Sequence, residues 1–278
     1  RGYDNLTTAY FSSRGPSFLG NLKPDVMAPG VYIMSAGQHP TAEQCSVESS
    51  LLYMSGTSMA TPAVSGALAL IYQYLKEARH NLTVTKTMNI TSGLLRAFAI
   101  SAAGSTANCE SGYGLVNLSR VLIFEDDHKG LRYCSSKINP DQHLSYYITT
   151  VREGELSITL TWIDLPLDAD VTIPLFTYID LVLVAPDGSV LETKEQYATS
   201  HKLVIPNAKP GQYEIRIASN ALSADFGGVD YSLVVVGAFD HLDLTVNPNE
   251  LIAEKSRLCT SKCTSQCNED QAICICDK

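Results

Sequence analysis

Apolar and polar positions change their rhythm twice along the chain. Residues 1–50 alternate short apolar runs, at 22–26 and 31–35, with glycine and proline. This reads as strands and loops feeding the edge of a sheet. Pro16, Pro24, Pro29 and Pro40 exclude a long helix there. Residues 46–53 then lead into a turn of small residues. From Ala63 to Ile71 nearly every position is apolar, and polarity returns only at Lys76, Glu77 and Arg79. The pattern predicts a core helix over 61–77, with Pro62 near its first turn, where a missing N–H costs nothing. A second helix is expected over 93–102, because Leu94, Leu95, Ala97, Phe98 and Ile100 suit one apolar face. A short last helix follows over 117–123, then a charged linker over 125–130.

From about Leu131 the period becomes two and the residues β-branched. Seven strands are predicted, at 146–151, 156–162, 179–185, 190–193, 201–205, 212–218 and 231–236, with turns such as Pro186-Asp187-Gly188 and Pro210-Gly211 between them. So many short strands in sequence argue an all-β sandwich or jelly roll. The chain therefore divides into an α/β part over 1–124, a linker over 125–130, an all-β domain over 131–240 and a Cys-rich tail over 241–278. The all-β domain is expected to fold on its own and the first part, taken alone, to aggregate.

At 278 residues, 45% hydrophobic and 18% charged, the composition is that of a globular chain of about two domains. A net charge of −9, with no basic cluster, excludes a nucleic-acid partner. The strongly apolar stretch over 63–74 is shorter than the ~20 residues a membrane span needs. Eight cysteines, five of them in the tail from Cys259 to Cys276, suit an oxidising compartment. Sequons at Asn5, Asn81, Asn89 and Asn117 point the same way, to an extracellular or cell-surface glycoprotein. Asn117 also admits a structural role. The opening Arg1-Gly2-Tyr3-Asp4 is polar and has no signal-peptide character, which reads as an internal cut or an incomplete reading frame.

The candidate chemistry lies in Ser55-Gly56-Thr57-Ser58-Met59-Ala60-Thr61-Pro62. A serine at a helix N-terminus is commonly an N-cap. The same place offers free N–H groups and the positive end of the helix dipole to a developing oxyanion. The octapeptide resembles the nucleophile signature of the subtilisin-like serine proteases. Phe11-Ser12-Ser13-Arg14-Gly15-Pro16, Lys23-Pro24-Asp25-Val26-Met27-Ala28-Pro29-Gly30 and the closing Gly112-Tyr113-Gly114-Leu115-Val116-Asn117 resemble three further segments of that family, in family order.

The resemblance covers about residues 1–124. It implies a partial subtilisin-like parallel-sheet domain and an endopeptidase acting on protein or peptide substrates. Ser58 would be the nucleophile, with its backbone N–H in the oxyanion hole and Gly56, Thr57 and Met59 positioning it. The family's Asp and His motifs precede the serine by a long stretch, and only 57 residues precede Ser58. Among those, His39 lacks the family's context, Asp25 belongs to the KPDV segment and Asp4 is the other aspartate. The chain alone is thus expected to be inactive until the N-terminal catalytic segment is supplied. The alternative is an inactive, protease-derived binding or adhesion protein that uses its all-β domain and tail.

The chemistry needs no cofactor. Residues 160–164, 179–188 and 210–215 resemble the C-terminal β-domain of one subtilase branch, which can hold calcium. Asp164 and Asp180 are the candidate ligands, with Asp168 and Asp170 nearby. A run of loop aspartates is equally well solvated or turn-forming, and Tyr178 stands where the branch has an acidic residue. Trp162 reads as a core anchor. The tail spacing Cys259-x3-Cys263-x3-Cys267-x6-Cys274-x-Cys276 resembles the start of an EGF-like or other small disulfide module. Without a histidine among those cysteines zinc is disfavoured. Five is odd, so one partner must be Cys45, Cys109 or Cys134, or lie beyond Lys278.

Overall fold

The computed structural model describes residues 7–37, 51–77, 89–104, 106–124, 129–164, 175–193, 197–221 and 228–239. Its first part contains strands β1 (Ile33–Ala36) and β2 (Leu51–Met54), helices α1 (Thr57–Lys76) and α2 (Ser92–Ala102), and a 3-10 turn (Leu118–Arg120). β1 and β2 pair antiparallel, with Ile33 opposite Met54. The parallel sheet expected here is reduced, among the described residues, to a bridge between Met27 and Leu115. An antiparallel pair needs only a loop, whereas parallel neighbours need a long crossover.

α1 starts four residues earlier than the apolar run implies, and it is not buried all round. Only Ile71, Tyr74 and Leu75 are buried, and Leu70 is 52% exposed. The physical reason is that only its C-terminal end rests on other described elements. The Tyr74 hydroxyl there donates to the Ile123 carbonyl at 2.5 Å and accepts from the Ile123 N–H at 3.1 Å. α2 differs, with eight of its eleven residues buried. The Thr91 side chain caps it by accepting from the Leu94 N–H at 3.1 Å.

The rest is β. Strands β3 (Gly130–Ile138), β4 (His143–Thr150), β5 (Gly154–Trp162), β6 (Thr177–Val184), β7 (Val190–Glu192), β8 (Ser200–Ala208), β9 (Gly211–Ala221) and β10 (Val229–Gly237) form two antiparallel four-stranded sheets. Their orders are β3-β10-β5-β8 and β4-β9-β6-β7. All seven expected strands are present, and β3 is one that the alternation did not reveal. Its first five residues, Arg132 among them, are all buried, so neither face there is exposed.

The sheets share one core. Alternate residues of β10 (Tyr231, Leu233, Val235) and β5 (Leu156, Ile158, Leu160, Trp162) meet Tyr146, Ile179, Leu181 and Ile215 of the other sheet. Trp162 is an anchor there, 1% exposed, with its indole N–H donating to the Thr177 carbonyl at 3.2 Å. The Tyr146 and Tyr231 hydroxyls are hydrogen-bonded to one another in this core, and burial pushes Tyr146 well up. Cys134 lies in the same core, 3% exposed and outside any disulfide. Cys109 is half-buried and likewise unbridged, and Cys45 and the tail cysteines lie outside the described residues.

The opposite face of the β3-β10-β5-β8 sheet is covered by the helices. Leu131, Tyr133, Val234 and Val236 pack with Ile71, Leu75, Leu94, Ala97 and Phe98. β5 presents Ser157, Thr159 and Thr161 on this side, and the Thr161 hydroxyl donates to the Gly93 carbonyl at 3.0 Å. Small hydroxylated residues let α2 approach closely. The 131–240 region therefore shares a core with the helices, and excising it would expose that face to water.

Lys202 of β8 ties the two parts at the other end of α2. Its ammonium donates to the carbonyls of Ile100 at 2.9 Å, Ser101 at 3.1 Å and also Ala103, at the negative end of the helix dipole. Burial, aided by the Arg120 charge and opposed by Glu155, lowers Lys202 to about 7 from an ordinary 10.5. Between those values the unfolded chain binds a proton that the folded chain has released. Stability linked to Lys202 therefore rises with pH across that window, and the cost of the charged amine is fully present below it. The advantage of the wild type over Lys202→Met is expected to grow between about pH 7 and about pH 9 in urea unfolding. A pH-independent difference would contradict this.

Candidate active site at the start of helix α1

Ser58 is not the N-cap. Gly56 holds that position in extended backbone, without any side-chain cap, and Ser58 is the second residue of α1. It is exposed, and its hydroxyl has no hydrogen-bond partner among the described residues. Its backbone N–H belongs to the first turn, where no carbonyl four residues back is available. Thr57 is exposed and Met59 half-buried. The Thr57 carbonyl accepts from the Thr61 hydroxyl at 3.0 Å. Because α1 starts at Thr57, Pro62 falls at its sixth residue, past the free N–H groups. The residue that would return an N–H to the Ser58 carbonyl is thus a proline, and that carbonyl lacks its helical donor.

The turn before the helix is fixed by the KPDV segment. The Gly56 N–H donates to the Gly30 carbonyl at 2.8 Å, and the Tyr32 N–H donates to the Ser55 hydroxyl at 2.8 Å. At Gly30 a Cβ would stand 2.8 Å from the Gly56 carbonyl oxygen and 3.3 Å from the Ala60 Cβ. The other end of the segment meets the closing motif. The Met27 N–H donates to Gly114, Val116 returns one to Met27, and the Tyr113 N–H donates to the Asp25 carbonyl, at 2.8, 3.1 and 2.8 Å. FSSRGP joins them through the Gly15 N–H, which donates to the Cys109 carbonyl at 2.7 Å. Segments singled out separately in the sequence thus assemble behind one helix terminus.

Asp25 is a structural carboxylate. Its Oδ1 accepts from Arg96 at 2.7 and 3.2 Å, and its Oδ2 from Lys23 at 2.6 Å. Burial raises the carboxyl, but the Arg96 and Lys23 charges outweigh it and hold Asp25 below its ordinary 3.8. Nothing in the sequence marked Arg96 or Lys202. Both act across sequence separations of about one hundred residues.

Of the histidines, His143 opens β4, and His201 on β8 packs beside Trp162 with ring centroids 5.2 Å apart and the planes tilted by 49°. His39 and Asp4 lie outside the described residues, as do Asp168, Asp170, Asn5, Asn81 and the tail cysteines. Asp164 spends Oδ2 on the Phe176 N–H at 2.7 Å, while its buried Oδ1 has no partner among the described residues. Asp180 lies on the exposed face of β6. Among the described residues no three carboxylate, His or Cys side chains gather into a metal site. Asn89 is exposed. Asn117 is exposed too, and its side chain accepts from the Ser119 N–H at 3.1 Å and hydroxyl at 2.8 Å, capping the 3-10 turn. Among the described residues no helix is long and apolar enough to cross a membrane.

Residues 2–116 match the model of the Subtilase family. The chain is 28% identical over 206 residues to the Serine protease/ABC transporter B family protein tagA of Dictyostelium discoideum, covering 66% of this chain and 12% of that protein. It is 47% identical over 76 residues to the Serine protease AprX of Bacillus subtilis, covering 25% of this chain and 17% of that protein. To the Subtilisin-like protease SBT3.17 of Arabidopsis thaliana it is 34% identical over 188 residues, covering 59% of this chain and 23% of that protein. The chain therefore spans less than a quarter of the length of each. Among solved structures, the Yersinia pseudotuberculosis-derived mitogen aligns with 41% of this chain and 92% of its own at 15% identity. Its TM-score of 0.27 is too low to establish a shared fold.

Proposed function

Residues 2–116 carry a subtilase-family sequence, and from that premise we propose that this chain is the serine-bearing part of an endopeptidase that cleaves protein substrates through an acyl-enzyme on Ser58. The observation that carries the reading is the exposed Ser58 at the second position of α1, behind which the KPDV and closing segments converge. In the reaction Ser58 Oγ attacks the scissile carbonyl and gives its proton to an imidazole. The developing oxyanion takes the Ser58 N–H and the positive end of α1, and the protonated imidazole then delivers its proton to the leaving amine.

A serine hydroxyl needs that base. We place the His and Asp outside residues 1–278, on chain that also covers the exposed apolar positions of α1, β1 and β2, including Leu51, Tyr53, Met54 and Leu70. The two β sheets are the sandwich of the domain, bound to the catalytic part through α2. Secretion, glycosylation and the disulfide-rich tail belong to the same proposal, and no step is routed through calcium.

The test is to trap the intermediate. The full-length protein is mixed with an activated peptide ester, quenched in acid and digested. The reading requires an acyl mass on the peptide containing Ser58, absent in Ser58→Ala. Turnover without that adduct, or an adduct elsewhere, would remove Ser58 from the mechanism. An absence of both would favour a binding protein.

A further inference from the structure

We propose that Arg96 is a positioning residue for Ser58, holding the start of α1 in register with the loop that precedes β8. The proposal rests on the serine-peptidase reading and names a part of the chain that reading does not use. Arg96 lies on α2, about three-quarters buried, with its guanidinium between the two parts of the molecule. On one side Nε and Nη2 donate to Asp25 Oδ1 at 3.2 and 2.7 Å. On the other Nη1 donates to the Thr199 carbonyl at 3.0 Å and its hydroxyl at 2.8 Å.

This contact uses the shape of the group. A planar fork presents separated N–H donors to two partners at once, which the point charge of a lysine does not. A second contact runs in parallel, since the Leu22 N–H donates to the Tyr197 carbonyl at 2.8 Å. The loop over 197–199 therefore holds Leu22, just before the KPDV segment, directly and Asp25 within it through Arg96.

The grip reaches Ser58 through backbone. Beyond Asp25 the segment is pinned by Tyr113, Gly114 and Val116, and it ends at the Gly30 carbonyl, which receives the Gly56 N–H. The approach of Gly30 to Gly56 leaves no room for a Cβ, so the segment cannot shift without moving the N-cap of α1. A nucleophile displaced by about 1 Å loses on the order of a hundredfold in rate. Holding the segment at Asp25 is accordingly a way for the β part to set the reactivity of the serine.

The experiment uses the full-length protein and a fluorophosphonate probe. The maximal labelling rate at saturating probe, the probe concentration at half that rate and the melting temperature are measured for wild type, Arg96→Lys and Thr199→Val. Thr199→Val keeps the shape and the carbonyl and removes one acceptor, so it is a mild variant should Arg96→Lys fold poorly. The proposal expects the maximal rate to fall about tenfold in Arg96→Lys and less in Thr199→Val, with half-saturation unchanged. Unchanged maximal rates in both folded variants, with melting temperature alone reduced, would overturn it and leave the peptidase reading intact. Wild-type labelling that persists in Ser58→Ala would instead overturn the reading itself, and this proposal with it.

Discussion

Ser58→Ala in the full-length protein is expected to lower peptide-bond turnover by about 10⁶, while substrate binding and melting temperature stay close to wild type. The magnitude is the one measured in subtilisin when the nucleophile or its base is removed, and it is carried over to this chain on family grounds. The small effect on stability follows from the structure. Ser58 is exposed, is not the cap of α1 and makes no hydrogen bond among the described residues, so its hydroxyl supports nothing that folding requires. The residual rate comes from groups the substitution leaves in place, namely the first-turn N–H groups and the helix dipole. Steady-state hydrolysis of a fluorogenic peptide, paired with a thermal melt, checks both halves. A variant that lost activity only because it had unfolded would not meet the expectation.

Gly112→Ala acts in the opposite manner, on the fold before the chemistry. Gly112 has φ +59°, and a Cβ there would stand 2.3 Å from the carbonyl oxygens of both Pro24 and Asp25. The left-handed backbone alone costs about 1–2 kcal/mol for a residue with a Cβ. The two backbone carbonyls cannot rotate aside, because the Asp25 oxygen accepts the Tyr113 N–H and Asp25 is itself held by Arg96. A total loss on the order of 4 kcal/mol is expected, which is most of the margin of a marginally stable domain. Denaturant unfolding measures it. A loss below about 1 kcal/mol would mean the closing turn has room that the geometry denies.

The order of motifs along the chain made the site legible. Each of the segments around Gly15, Gly30, Gly56 and Gly112 carries small residues where backbone meets backbone. The sequence marked them by their resemblance to the family's motifs, and the backbone hydrogen bonds bring them together in space. The strands of the second sheet were equally plain, because β4 and β6 bury alternate residues. β3 was hidden by being buried on both faces, and the parallel sheet was expected from the family where an antiparallel pair is found. The start of α1 was misplaced because Gly56 offers no side-chain signal.

The joint between the parts was not legible at all. It depends on Arg96, Lys202 and Thr199, ordinary residues whose roles come from partners far away in sequence. The burial of Cys134 was hidden for the same reason. Periodicity reports which face of a strand is apolar. It does not report that a helix from elsewhere will cover the other.

We propose that Ser58 is a nucleophile whose base lies outside these 278 residues. Fluorophosphonate labelling of the chain alone and of the full-length protein tests it directly, with the adduct located by mass spectrometry. No label is expected on the 278-residue chain, and a single label on Ser58 in the full-length protein. A label on Ser58 of the chain alone, lost in Ser58→Ala, would instead place a base within this sequence.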